Sequence, residues 1–132
     1  MRWQLRSKIQ KATVMQANID YNGSITVDSV LIKKAGFREG EKVLVASYKT
    51  GERLETYIIK GREDSGVIAM NGPSALRIRE GEKIVIMGFE LTNKKISKVS
   101  AFIFLSKHLK YVPIPALFII LASIQIFFML SA

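Results

Sequence analysis

A short polar segment occurs twice in this chain, and each copy runs into a strand-like apolar stretch. Arg38-Glu39-Gly40-Glu41-Lys42-Val43-Leu44-Val45 returns as Arg79-Glu80-Gly81-Glu82-Lys83-Ile84-Val85-Ile86. A glycine turn feeding a buried strand, used twice, fits a small closed sheet with pseudo-two-fold symmetry. Two copies are too few for a solenoid, which needs about three repeats or more. Closure also removes exposed strand edges. The plainer reading is convergence, because Glu-Gly-Glu turns before strands are common.

The surrounding stretches are mainly strand-like. Residues 12–17 read as a strand entering a turn, and 25–27 as the strand leaving it. Asp28 or Ser29 can cap a short helix over 30–35, with Gly36 as its left-handed stop. Residues 43–48 form a β-branched run that Lys49-Thr50-Gly51 turns back into 53–60, a hairpin. Residues 66–70 and 83–89 are two further strand candidates. With 132 residues the chain makes one domain with a modest core. Residues 1–11 are basic, but no long apolar run follows them, so they are not a signal peptide.

Function turns on Ile19-Asp20-Tyr21-Asn22-Gly23-Ser24-Ile25-Thr26-Val27-Asp28. Asn-Gly between extended runs is a strong hairpin signal, since both central residues of a type I′ turn need positive φ. On that reading Ser24 merely opens the next strand. Asn22-Gly23-Ser24 also fits the N-glycosylation pattern, which requires a secreted chain. The sharper reading is chemical. A serine after a glycine can attack the carbonyl on its own N-terminal side. Gly23, without a Cβ, opens that carbonyl and permits a strained backbone. The peptide becomes an ester. Elimination across Cα–Cβ of Ser24 cuts the chain, and hydrolysis of the dehydroalanine leaves a pyruvoyl group. Such a ketone can form a Schiff base with an amine and accept electrons.

The neighbourhood gives that reading its weight. Ser7-Lys8-Ile9 precedes Ala12-Thr13-Val14, then Gln16-Ala17, then Tyr21-Asn22-Gly23-Ser24. Gly51-Glu52-Arg53-Leu54-Glu55-Thr56-Tyr57 and Ser65-Gly66-Val67-Ile68-Ala69-Met70-Asn71-Gly72 follow. In that order and at those separations the chain resembles the pyruvoyl-dependent aspartate 1-decarboxylase family, from about residue 8 to residue 89. The resemblance implies a mainly β fold, a six-stranded double-psi β-barrel with short helices, over residues 1–106. It implies autocleavage between Gly23 and Ser24 and conversion of L-aspartate to β-alanine and CO2 for pantothenate synthesis. It also implies a covalent pyruvoyl cofactor from Ser24, no metal, and a cytoplasmic homotetramer with sites between subunits.

Decarboxylating an α-amino acid needs an electron sink, a carboxylate clamp and a proton source. Arg53 offers a planar fork suited to a carboxylate. Lys8 can add a point charge, and the Tyr57 phenol can return the proton to Cα. Period two puts Arg53 and Tyr57 on one strand face. Their plain readings are a solvated edge charge and an ordinary strand aromatic. Thr56 falls on the opposite face, yet the matching family threonine assists cleavage and contacts substrate. Either the strand bends there, or the two faces serve different parts of the site. The family's substrate loop maps to Asn71, Gly72, Pro73 and Ser74. Pro73 stands where the family commonly has alanine and has no N–H to offer. Gln10 replaces a histidine frequent in the family, and Tyr21 matches it.

Two features point elsewhere. The formal net charge is +9, which suggests nucleic acid, an anionic surface or anionic substrates such as a dicarboxylate. Lysines and arginines are spread along the chain without an aromatic-interleaved stripe. There is no cysteine, which excludes disulfides and thiolate metal sites, and a single histidine, His108, argues against a His-rich one. The second feature is the segment 107–132, an atypical hydrophobic C-terminal tail. Residues 112–132 carry no charge and are about long enough to cross a bilayer. Lys107 and Lys110 before it would hold the barrel in the cytosol. Pro113 and Pro115 confine a helix to 116 onward, short for a full crossing. Packing at a subunit contact or a shifted reading frame are the other options. Residues 102–105, just upstream, read as one more barrel strand. The rival function is therefore a non-enzymatic basic β-barrel that binds nucleic acid or anchors to membrane through its tail.

Overall fold

Alternating and β-branched runs dominate the chain, and the computed structural model turns them into strands joined by tight turns. It describes residues 1–96, and the backbone of 101–106 and 109–112. The strands are β1 (Arg2–Thr13), β2 (Gln16–Asn18), β3 (Ser24–Asp28), β4 (Lys42–Ser47), β5 (Arg53–Gly61), β6 (Ile68–Asn71), β7 (Lys83–Thr92), β8 (Ala101–Ser106) and β9 (Leu109–Val112). Two short helices, α1 (Ser29–Ala35) and α2 (Ser74–Arg77), complete the described elements.

The strand order is β2-β6-β3-β5-β4-β7-β1-β8-β9. Its two distant members β2 and β1 are one stretch of chain. At the join, the Val14 amide donates to Glu82 beside β7 (2.9 Å), and the Met15 amide donates to Ile68 of β6 (2.8 Å). The sheet therefore closes on itself as a barrel. Ile9, Val14, Ile25, Val27, Val43, Val45, Ile58, Met70, Ile84 and Ile86 fill its interior, all at most 1% exposed.

The duplicated segment is a real structural repeat. Gly40 and Gly81 both take positive φ, 78° and 87°. In each copy the glycine amide donates across the barrel, Gly40 to Ile58 (2.8 Å) and Gly81 to Val14 (2.9 Å). Ile58 and Val14 return the bond to Glu41 and Glu82. The copies' eighth residues, Val45 and Ile86, are direct partners in the antiparallel β4–β7 ladder. Extending the same offset backwards matches Val27 with Ile68, and these too are partners, in β3–β6. Equivalent residues that face each other lie on a local two-fold axis. The halves differ just beyond the repeat: Ser47 corresponds to Gly88, where a Cβ would sit 2.4 Å from the Phe37 ring.

The helix follows its sequence signals. Asp28 caps α1 by accepting from the Val30 amide (2.8 Å), and Gly36 ends it at φ 67°. The Phe37 amide reaches Ile32 and the Gly36 amide reaches Lys33, a Schellman stop. The β4–β5 hairpin also forms, with Gly51 at φ 72° in its turn.

Three expectations change. Asn22-Gly23 is not a two-residue hairpin turn, because β6 lies between β2 and β3 and pairs with both. The N-terminal residues, not read as a strand, form the long β1. Residues 102–105 lie in a strand as expected, β8, which runs parallel to β1 outside the closed sheet. Within the expected tail, residues 109–112 form β9, antiparallel to β8. The rest of the apolar tail, 113–132, lies outside the described residues. Among the described residues no helix is long and apolar enough to cross a membrane.

Candidate active site

Ser24 opens β3 with φ 128°, a backbone conformation that side chains rarely adopt. It is 2% exposed. The strain sits on the serine itself; Gly23, expected to carry it, is outside the positive-φ set. Its cause is tertiary. The chain must leave β2, pass the end of β6 and enter β3 on the other side of that strand.

Opposite Ser24 in the β3–β6 ladder stands Asn71. The Asn71 Nδ2 amide donates to Thr26 Oγ1 at 2.8 Å and, more distantly, to Ser24 Oγ at 3.4 Å. Gly72 follows at φ 61°, its amide bonded to the Asn18 carbonyl (2.8 Å). A Cβ on Gly72 would come within 2.7 Å of Gly23 Cα and 3.0 Å of the Tyr21 carbonyl. Two backbones are thus pressed together at the serine. Pro73 continues this contact, with its Cδ 3.7 Å from a Cβ built on Gly23. Ser74 begins α2 and is half-buried; Tyr21 is exposed. Gly23, Ser24, Asn71, Gly72 and Pro73 therefore gather at one point.

A second group lies on the outer face of the barrel. Along β5 exposure alternates without a break from Arg53 to Ile58, so the strand does not bend at Thr56. Arg53 and Tyr57 face outward; Thr56 faces inward beside Val43. In the parallel β3–β5 ladder Ile25 pairs with Ile58, which sets Ser24 level with Tyr57 just before it. Lys8 shares a row across the strands with Met87, Leu44 and Glu55. On β5, Arg53 and Tyr57 flank that row. Arg53 is four residues from Tyr57, roughly 13 Å along a strand. Arg53 and Lys8 are thus not drawn to the serine within one chain by the ladder itself. Gln10 lies two residues beyond Lys8 on β1.

No group of acidic or histidine side chains suited to a metal occurs among the described residues. One side chain that sequence reasoning passed over, Thr26, touches the Asn71 amide. Period two from Ser24 would have placed it on the same face.

Comparison with known proteins agrees with the clustered motifs. The aspartate decarboxylase family model matches residues 1–110. A Caldicellulosiruptor bescii protein named aspartate 1-decarboxylase is 52% identical over 85 residues, 64% of this chain and 66% of that protein. Proteins of the same name from Clostridium beijerinckii and a Clostridium botulinum strain are 44% identical over 90 residues and 46% over 95. Those two matches cover 68% and 71% of this chain, and 73% and 75% of the relatives. The matched stretch is about two thirds to three quarters of the relatives' length. With the Gly-Ser turn, the Asn71-Gly72 wedge and the β5 residues all inside the matched region, the chain belongs to the aspartate decarboxylase family.

Proposed function

We propose that this chain cuts itself between Gly23 and Ser24 and then decarboxylates L-aspartate to β-alanine and CO2, feeding pantothenate synthesis. One observation carries the cleavage reading: a buried serine with φ 128°, directly after glycine, in a family that bears this activity. A strained residue of this kind stores about 1–3 kcal/mol, which cleavage releases. Ser24 Oγ adds to the Gly23 carbonyl carbon, the C–N bond breaks, and the hydroxyl proton goes to the freed nitrogen. Loss of the Cα proton with departure of the Gly23 carboxylate then parts the chain. Water adds to the dehydroalanine and ammonia leaves, so a pyruvoyl group caps the longer fragment.

The residues present fit that group. The Asn71 amide already points a donor at Oγ, and Ser24 itself is shielded from solvent. A pyruvoyl group there supplies the electron sink that decarboxylation needs. Arg53 binds a substrate carboxylate through its fork, and Lys8 adds positive charge. Tyr57, level with Ser24, returns the proton to the substrate Cα. Thr56 assists cleavage from the inner face. Ser74 offers its amide to substrate; Gly72, whose amide is already bonded to Asn18, and Pro73, which has none, contribute shape.

The wide spacing of Arg53 and Lys8 from the serine supports a site completed by a neighbouring copy, in a homotetramer. The interleaved halves support a six-stranded double-psi barrel: β2 runs parallel to β6, and β5 parallel to β3. We place the activity in the cytoplasm, with the Lys107 and Lys110 side of the tail. Intact-mass measurement tests the reading. The purified protein should give two fragments, the larger carrying a ketone, and Ser24→Ala should stay whole and inactive. A folded wild-type chain that remains in one piece and does not react with hydrazides ends the proposal.

A further inference from the structure

Asn71 sits directly opposite Ser24, yet its shorter hydrogen bond goes to the next residue on that face, Thr26. The geometry is built for that reach. Thr26's own ladder partner is Ala69, whose small side chain leaves room for the Asn71 amide to lean along the strand. On the opposite side, a Cβ built on Gly61 would come within 3.1 Å of Thr26 Cγ2. The bare glycine therefore accommodates the threonine methyl against β5. A β-branched side chain is stiff about χ1. With the methyl seated toward Gly61, Oγ1 is held toward β6, where Asn71 donates to it.

An asparagine amide has two N–H groups on one nitrogen. With one committed to Thr26 at 2.8 Å, the other is left facing Ser24 Oγ at 3.4 Å. We infer that Thr26 is a positioning residue for autocleavage: it anchors the Asn71 amide with its second N–H facing Ser24 Oγ. A donor at that oxygen leaves the serine's proton free to travel to the peptide nitrogen and fixes one rotamer beside the bond under attack. Fixing the attacking atom in place is where an effect on rate arises. This inference rests on the cleavage reading above, and acts through Asn71 with no contact to substrate.

The test follows fragment formation by intact mass after cell-free synthesis of the full chain. Thr26→Val keeps the shape and loses the hydroxyl; it should cut on the order of tenfold slower, the value of one hydrogen bond. Thr26→Ser should cut near the wild-type rate. Thr26→Ala, without the branched methyl, serves as a second deletion should valine disturb the fold, and should be as slow. Thermal melts of each variant in the uncut Ser24→Ala background separate folding from cleavage. In an Asn71→Ala background the Thr26→Val change should have no further effect on rate, which a merely structural role would not produce. A wild-type chain that cuts while both hydroxyl deletions cut equally fast overturns the inference alone. So does a full Thr26→Val effect without Asn71. A wild type that never cuts overturns the cleavage reading and this inference with it.

Discussion

At Ser24 and Gly72 two short stretches of backbone meet more closely than side chains would allow. Gly72 takes φ 61° and lies where a Cβ would overlap Gly23. Both penalties apply to any replacement, and the nearest neighbours are backbone atoms that cannot swing away. Gly72→Ala should therefore lower stability by about 1–3 kcal/mol and slow fragment formation by displacing residues 21–23. Urea melts of the uncut Ser24→Ala chain with and without the change read the first effect; timed intact mass reads the second. An alanine variant that melts and cuts like the parent would show the contact to be slack. The Gly-Ser pair itself was readable from the sequence, but the strained residue was not. Local propensity assigns positive φ to Asn-Gly, whereas the detour around β6 puts it on the serine.

Each repeat copy folds its glutamate back over its own turn, and here the two halves part company. Glu82 accepts from the Ser47 hydroxyl (2.6 Å) and from the Arg79 amide, with only 6% of the residue exposed. Glu41 instead pairs with Arg6, because Gly88 stands where the second serine would be. The Ser47 hydrogen bond first, then the Arg79 amide, hold the Glu82 carboxyl below its ordinary range, against the opposing effect of burial. A carboxyl lowered on folding contributes fully above its unfolded pKa, and that contribution is lost as pH falls through the folded value. Urea midpoints should accordingly drop as pH is taken below the usual glutamate range. Glu82→Gln should lack that part of the decline; an unchanged pH profile would count against the assignment. Strand β1 shows the limit of pattern reading at this scale. Bulges between Leu5 and Ser7 and between Ile9 and Ala12 reverse its parity. Trp3 and Leu5 face outward, Ser7 and Ile9 inward, so no unbroken alternation marks the strand.

Across the whole molecule that reversal leaves an apolar band on the outside. Trp3 (69% exposed) pairs with Leu91, and Leu5 with Phe89, on the face that continues into Met87 and Leu44. The same face carries Lys8, Arg53 and Tyr57. A second copy covering it would bury the band and bring charged groups to a neighbouring serine. Sedimentation of the cut protein should give four copies, and Trp3→Asp should weaken assembly and activity together. A fully active monomer would show that one chain completes the site. The sequence alone determined the repeated turn-strand unit, the capped helix, the β4–β5 hairpin and the motif order that marks the family. Each depends on neighbours a few residues apart or on residue identity. Only the tertiary structure decided that β6 separates β2 from β3, that Asn71 and Thr26 meet at Ser24, and which residues face outward. Those depend on barrel closure, which pairs distant strands and sets their register whatever the local preference.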